Sequence, residues 1–139
     1  MIIPNKVIED LYTIFRKLSE QEQYFVGDIL ENPPIEYPII FKDNGKPVAY
    51  IYLSDQEFPF LYDNDDCGNI HIAIIPEYRN KGLTRKLIDA LLKSTKLKHI
   101  IWTANTKNKI SKSIGEKFEL IFQETSFDGK DTYNYYKVK

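Results

Sequence analysis

Ile70-His71-Ile72-Ala73-Ile74-Ile75-Pro76-Glu77-Tyr78-Arg79-Asn80-Lys81-Gly82-Leu83-Thr84 opens as an apolar run and closes at the start of a different periodicity. The near-continuous apolar character of Ile70 to Ile75 predicts a strand buried on both faces and therefore central in a sheet. From Leu83 onward Leu87, Ile88, Leu91 and Leu92 recur at helical spacing, which predicts a helix from about Lys81 to Lys93. His99 to Thr103 reads as a further buried strand, so residues 70 to 103 follow the strand, helix, strand pattern of a parallel crossover. The turn into the helix is the chemically interesting part. The first helical turn leaves its N–H groups without intrahelical partners and carries the positive end of the macrodipole, which suits it to phosphate. Gly82 lets a ligand approach the backbone, and Arg79, Lys81, Arg85 and Lys86 add cationic charge. A solvated basic turn with a glycine for flexibility accounts for the same residues equally well.

Upstream, Val7, Ile8, Leu11, Ile14, Phe15 and Leu18 share one helical face, with Asn5 as a plausible cap. Ser19-Glu20-Gln21-Glu22 has the spacing of a capping box opening a second helix, with Phe25, Ile29 and Leu30 inward and Pro33-Pro34 as its end. Tyr37 to Phe41 and Val48 to Leu53 are strands of an antiparallel pair, because Asn44-Gly45 between them supplies the positive φ angles of a tight turn. Downstream, Ile110, Ile114 and Phe118 predict a helix, and Leu120 to Glu124 with Thr132 to Val138 a closing hairpin around Asp128-Gly129. The order α-α-β-β-β-α-β-α-β-β predicts an α/β fold with a mixed, mostly antiparallel twisted sheet and helices on both faces.

The 139 residues, 42% hydrophobic, suffice for one buried core and predict a single domain. The 19 basic and 20 acidic side chains nearly cancel, so no global field favours nucleic acid or an anionic membrane surface. One cysteine, Cys67, excludes an intramolecular disulfide and a cysteine-based zinc cluster, and no metal is expected. No apolar stretch reaches the roughly 20 residues of a membrane span, and the N-terminal residues lack a signal-peptide pattern, so a cytoplasmic location is expected.

The stretch Ile74 to Thr84 resembles the pyrophosphate loop of the GNAT superfamily of N-acetyltransferases, Arg/Gln-x-x-Gly-x-Gly/Ala after a strand ending in Val-x-Pro-Glu-Tyr. Asn105 to Leu120 is similar to the same family's Asn-x-x-Ala-x-x-Leu-Tyr-Glu-Lys-Leu-Gly-Phe helix. The resemblance implies the acyl-CoA N-acyltransferase fold and transfer from acetyl-CoA, or a related acyl-CoA, to an amine. It places the pyrophosphate on the loop Arg79, Asn80, Lys81, Gly82, Leu83 and Thr84, helped by Arg85 and Lys86. It places pantetheine beside Ala73, Ile74 and Ile75, where this strand splays from the next, with Asn108 contacting the same arm. By its residue type, Asn108 is equally an ordinary helix-start residue. A small-molecule or peptide amine acceptor follows, and so does a possible homodimer through the closing strands.

The chain departs from that pattern at three positions. Thr84 stands where the family prefers Gly or Ala, Gly115 where many members carry a tyrosine that protonates the leaving thiolate, and Thr103 where some carry a basic glutamate. A thiol with a pKa near 8.5 leaves fairly well unaided, whereas an alkylamine with a pKa near 10.4 must lose a proton before it attacks. His71 and Glu57 are the candidate bases, with Glu77 a weaker one, and each also reads as an ordinary structural or surface residue. Tyr133, Tyr135 and Tyr136 alternate on the last strand, where packing is the commoner role and acid help to the thiolate a second one. Cys67 follows Asp65 and Asp66, whose charge disfavours a thiolate nucleophile, so direct attack is expected, with strand amides near Ile74 and Ile75 holding the oxyanion. The acidic residues Asp55, Glu57, Asp63, Asp65 and Asp66 form a loop that would attract a cationic acceptor. The alternative is an acyl-CoA sensor of the same fold that transfers nothing.

Overall fold

A computed structural model describes residues 2–56, 58, 60 and 66–139. Its elements are α1 (Asn5–Phe15), α2 (Glu20–Val26), β1 (Ile39–Asp43), β2 (Lys46–Ser54), β3 (Cys67–Ile74), a 3-10 turn (Pro76–Tyr78), α3 (Leu83–Ser94), β4 (His99–Asn105), α4 (Lys109–Gly115), β5 (Glu119–Thr125) and β6 (Thr132–Lys137). The order is the one the periodicities predict. Strand order in the six-stranded sheet is β1-β2-β3-β4-β6-β5. β1 with β2, β4 with β6 and β5 with β6 are antiparallel, whereas β3 and β4, joined through α3, are parallel. Among the described residues no helix is long and apolar enough to cross a membrane. The chain forms two compact units, Met1–Asp55 with His71–Thr95, and Gln56–Ile70 with Lys96–Lys139.

In the first unit, Asn44 and Gly45 both take positive φ, 50° and 79°, as the hairpin between β1 and β2 requires. Leu11, Ile14 and Phe15 of α1, and Leu18 after it, pack with Val48, Tyr50 and Tyr52 of β2 and with Ala73 and Ile75. The intervening Ala49, Ile51 and Leu53 are equally buried, so β2 is covered on both faces. α3 turns Leu83, Leu87, Ile88 and Leu91 inward and packs against β2 and β1. Two helix ends differ from expectation. α1 is preceded by Pro4 rather than capped by Asn5, which lies inside the helix, since a proline at its start forfeits only an amide that is orphaned anyway. α2 stops at Val26 because Gly27 takes φ 88°, well before Pro33-Pro34, so Ile29 is buried outside the helix and Leu30 is exposed.

In the second unit, Cys67 to Asn69 pair in parallel with His99 to Ile101. β4 also pairs with β6, setting Trp102 opposite Tyr136 and Thr103 opposite Tyr135. Phe58, Cys67, Ile101 and Tyr135 form the buried core, flanked by Phe60, Ile121, Phe122 and Tyr133. α4 ends at Gly115, short of Phe118, and the Trp102 indole N–H donates to the Ser111 carbonyl at 3.0 Å, fixing the helix against β4.

Candidate active site

The phosphate-binding candidate is built on two left-handed residues, Asn80 with φ 61° and Gly82 with φ 76°. Gly82 is the residue that precedes α3, and among the described residues no side chain caps the start of that helix. The Arg79 amide donates to the Pro76 carbonyl and the Lys86 amide to the Gly82 carbonyl, but the six amides from Asn80 to Arg85 have no partner among the described residues. A Cβ at Gly82 would meet nothing within 4 Å, so the backbone there is open to an incoming group.

The side chains around this turn are less free than their charges suggest. Arg79 donates from Nε to the Ile74 carbonyl at 3.0 Å and pairs through its guanidinium with Glu22 of α2. Lys81 lies 5.2 Å over the Tyr78 ring, and the Tyr78 hydroxyl donates to Asp43. Arg85 sits 4.0 Å from Asp89 one helical turn on, an exposed pair of little energetic weight. Ala73 and Ile75 are core residues, and the Ile75 amide already donates to the Val48 carbonyl at 3.0 Å. Amides alternate sides along an extended chain, so the Ile74 N–H points away from β2.

His71 is buried beneath the segment that follows α2. Its ring stacks on Tyr52 with centroids 4.9 Å apart. Nδ1 lies 2.8 Å from the Val26 carbonyl, which can only accept, so Nδ1 carries the proton and Nε2 accepts from the Ser54 hydroxyl at 2.7 Å. Burial pulls the imidazole pKa down despite the Val26 bond, so His71 is neutral at pH 7. The unfolded chain protonates His71 at its ordinary pKa of 6.5, the folded chain only at lower pH. Below about 6.5 acid therefore favours the unfolded form, and this contribution to stability is complete only above that value. Urea midpoints should fall between pH 7 and pH 5.5 in the wild type and fall less in His71→Gln; equal slopes would count against a depressed pKa.

Other candidates fall elsewhere. Glu57, Asp63 and Asp65 lie outside the described residues, while Glu77 is exposed on the 3-10 turn. Asn108, in the second unit, precedes α4 and its Oδ1 accepts from the Ser111 amide at 3.2 Å. Thr103 donates to Asn69 Oδ1 at 2.7 Å. Tyr135 donates to Glu124, and the Tyr136 hydroxyl accepts from Asn134 at 3.0 Å. A cavity of about 290 Å³ in the second unit, lined by Phe60, His99, Ile101 and Lys137 among others, contains none of the candidate residues. Sequence reasoning missed Ser54 and Glu22, the side chains that engage His71 and Arg79. Only the Ser19-x-x-Glu22 spacing marked Glu22, and it marked it as a cap.

The model of a family described as the acetyltransferase (GNAT) family matches residues 5–117. No curated protein matches the chain. The smu.2055 protein of Streptococcus mutans UA159 is 17% identical with a TM-score of 0.68, over 99% of this chain and 97% of that one. The ribosomal-protein-S18-alanine N-acetyltransferase of Escherichia coli is 17% identical with a TM-score of 0.64, over 100% and 92%. The yncA protein of Salmonella typhimurium, solved with its cofactor acetyl-CoA, is 16% identical with a TM-score of 0.59; the match covers 73% of this chain and spans only 63% of that one. At these identities the likeness is one of fold.

Proposed function

This chain belongs to the acetyltransferase (GNAT) family, and on that premise we propose that it is an acetyl-CoA-dependent N-acetyltransferase acting on a primary amine by direct attack. The observation that carries the reading is the run of six amides, Asn80 to Arg85, without a partner among the described residues, on an open left-handed turn. A pyrophosphate is the kind of group such a turn fits. Acetyl-CoA supplies an acyl group activated as a thioester. The amides of Lys81 to Thr84 hold the pyrophosphate, with Arg85 and Lys86 adding charge, and Ala73 to Ile75 flank the pantetheine. The Ile74 N–H is the donor for the oxyanion. His71 receives the amine proton by way of the Ser54 hydroxyl, which lies 2.7 Å from its Nε2. The sole cysteine is buried, which supports attack by the amine without an acyl-cysteine.

The acceptor that asks least of this machinery is an α-amine. Its pKa near 8 leaves a neutral fraction roughly a few hundredfold above that of a lysine side chain near 10.4. The E. coli neighbour, by its description an alanine N-acetyltransferase of a ribosomal protein, supports a peptide N-terminus as the first acceptor to test. Gly115, in place of the family's tyrosine, favours the second reading, an acyl-CoA sensor. Thiol release over a panel of amines and N-terminal peptides decides between them: turnover above the hydrolysis background establishes the enzyme, and CoA binding without turnover the sensor. Calorimetry with CoA tests the turn itself. Gly82→Ala forces a side chain into positive φ and should weaken CoA about tenfold; unchanged affinity would remove the turn from the site.

A further inference from the structure

The phosphate turn does little to stabilise itself. Two of its residues are left-handed, one of them the non-glycine Asn80, and its amides from Asn80 to Arg85 make no hydrogen bonds among the described residues. Such a conformation persists only where the surroundings determine it. Arg79, immediately before the turn, provides one such constraint. Its Nε folds back on the carbonyl of Ile74, the last residue of β3, and its guanidinium reaches Glu22 on α2.

Glu22 is itself doubly committed. Oε1 accepts from the Ser19 amide at 3.1 Å, completing the capping box of α2, while Oε2 grips Arg79. α2 needs this contact in turn, since none of its seven residues is buried. Gln23 also ties it down, its amide donating to the Phe15 and Leu18 carbonyls, while the partly buried Val26 packs against the core and its carbonyl meets His71. The pair is half-exposed, so its Coulomb energy alone is small. Its value lies in where it places the backbone.

We propose that Glu22 is a positioning residue for the acyl-CoA site: through Arg79 it holds the phosphate turn in its receptive shape, and Arg79 acts as a brace rather than as a phosphate ligand. This rests on the acetyl-CoA reading above. A guanidinium neutralised by a carboxylate and spent on a strand carbonyl adds little attraction for pyrophosphate, which leaves binding to the amides of Lys81 to Thr84. Ligand affinity is thereby coupled to the seating of α2.

Glu22→Gln separates the brace from the helix cap, because glutamine still accepts from Ser19 in a capping box but presents no second oxygen to Arg79. CoA binding by calorimetry and steady-state kinetics are measured for the wild type, Glu22→Gln, Arg79→Ala and the double variant. The expected result is a weakening of CoA, and a rise in the KM for acetyl-CoA, of about fivefold in each single variant. The double variant should lose no more than either single, kcat should be unchanged, and the hydrogen-bonded amides that bound the turn, those of Arg79 and Lys86, should exchange faster in ligand-free Glu22→Gln. A fold that is merely weakened would instead lower the active fraction and spare affinity. CoA bound as tightly or more tightly by Glu22→Gln, with Arg79→Ala alone weak, would make Arg79 a direct ligand and overturn the inference. A wild type that fails to bind CoA would overturn the acyltransferase reading instead, and the exchange rates would then decide whether Glu22 braces the turn.

Discussion

Gly115→Ala is expected to lower the melting temperature by roughly 3–10 °C, from a loss of about 1–3 kcal/mol. A Cβ at position 115 would stand 2.4 Å from Cε2 and 2.5 Å from Cδ2 of Tyr136, closer than carbon atoms approach without displacement. The ring has little room to withdraw. Tyr136 is buried on β6 between β4 and β5, opposite Trp102 and Leu120, and its hydroxyl is held by Asn134, whose Oδ1 accepts in turn from Gln123 at 2.6 Å. The missing tyrosine is thus a steric choice as well as a chemical one, since the space beside α4 that a side chain would enter is filled from β6. Gly115→Tyr, which restores the family's residue, should melt lower still and gain no activity. Shrinking the opposing ring should couple to the change: adding Gly115→Ala to Tyr136→Ala should cost less than adding it to the wild type. A Gly115→Ala protein melting within a degree of the wild type would refute the clash.

The second large effect is on rate. His71→Gln should cut kcat/KM by about 10²–10⁴, the usual worth of a positioned base. Ser54→Ala should fall with it, because Nε2 of His71 meets the Ser54 hydroxyl and Nδ1 is occupied by Val26. The two losses should not add, as both interrupt one proton path. Raising the pH should recover part of the activity in either variant, since more of the amine is then already neutral. If His71→Gln melts lower yet turns over at the wild-type rate, the imidazole is a core residue that ties α2 to β3 and the amine loses its proton to water.

The order of helices and strands was legible because it rests on local periodicity and on three short signals, Asn44-Gly45, Ser19-x-x-Glu22 and Asp128-Gly129, each of which forms its turn or cap. The extent of α2 was not legible. A glycine inside an apolar helical pattern reads equally as tolerated or terminating, and Gly27 takes φ 88°, where a Cβ would also stand 3.2 Å from the Asn32 side-chain nitrogen. At the site, the open backbone of Gly82 follows from residue type and position. The state of the charges does not. Glu22 and Arg79 are 57 positions apart, Ser54 and His71 are 17, and such partners are chosen by packing between elements, which no spacing rule records. Gly115 carried the same limit: its departure from the family motif was visible, but the aromatic ring that fills the gap comes from the far side of a hairpin.

Cys67, the chain's sole cysteine, is 3% exposed in the core of the second unit. In practical terms the folded protein is silent toward thiol-reactive dyes, so colour that develops during turnover counts liberated CoA with little contribution from the protein itself. The same burial supplies an optical gauge of integrity, because dye uptake by a variant kept without acetyl-CoA reports opening of that core.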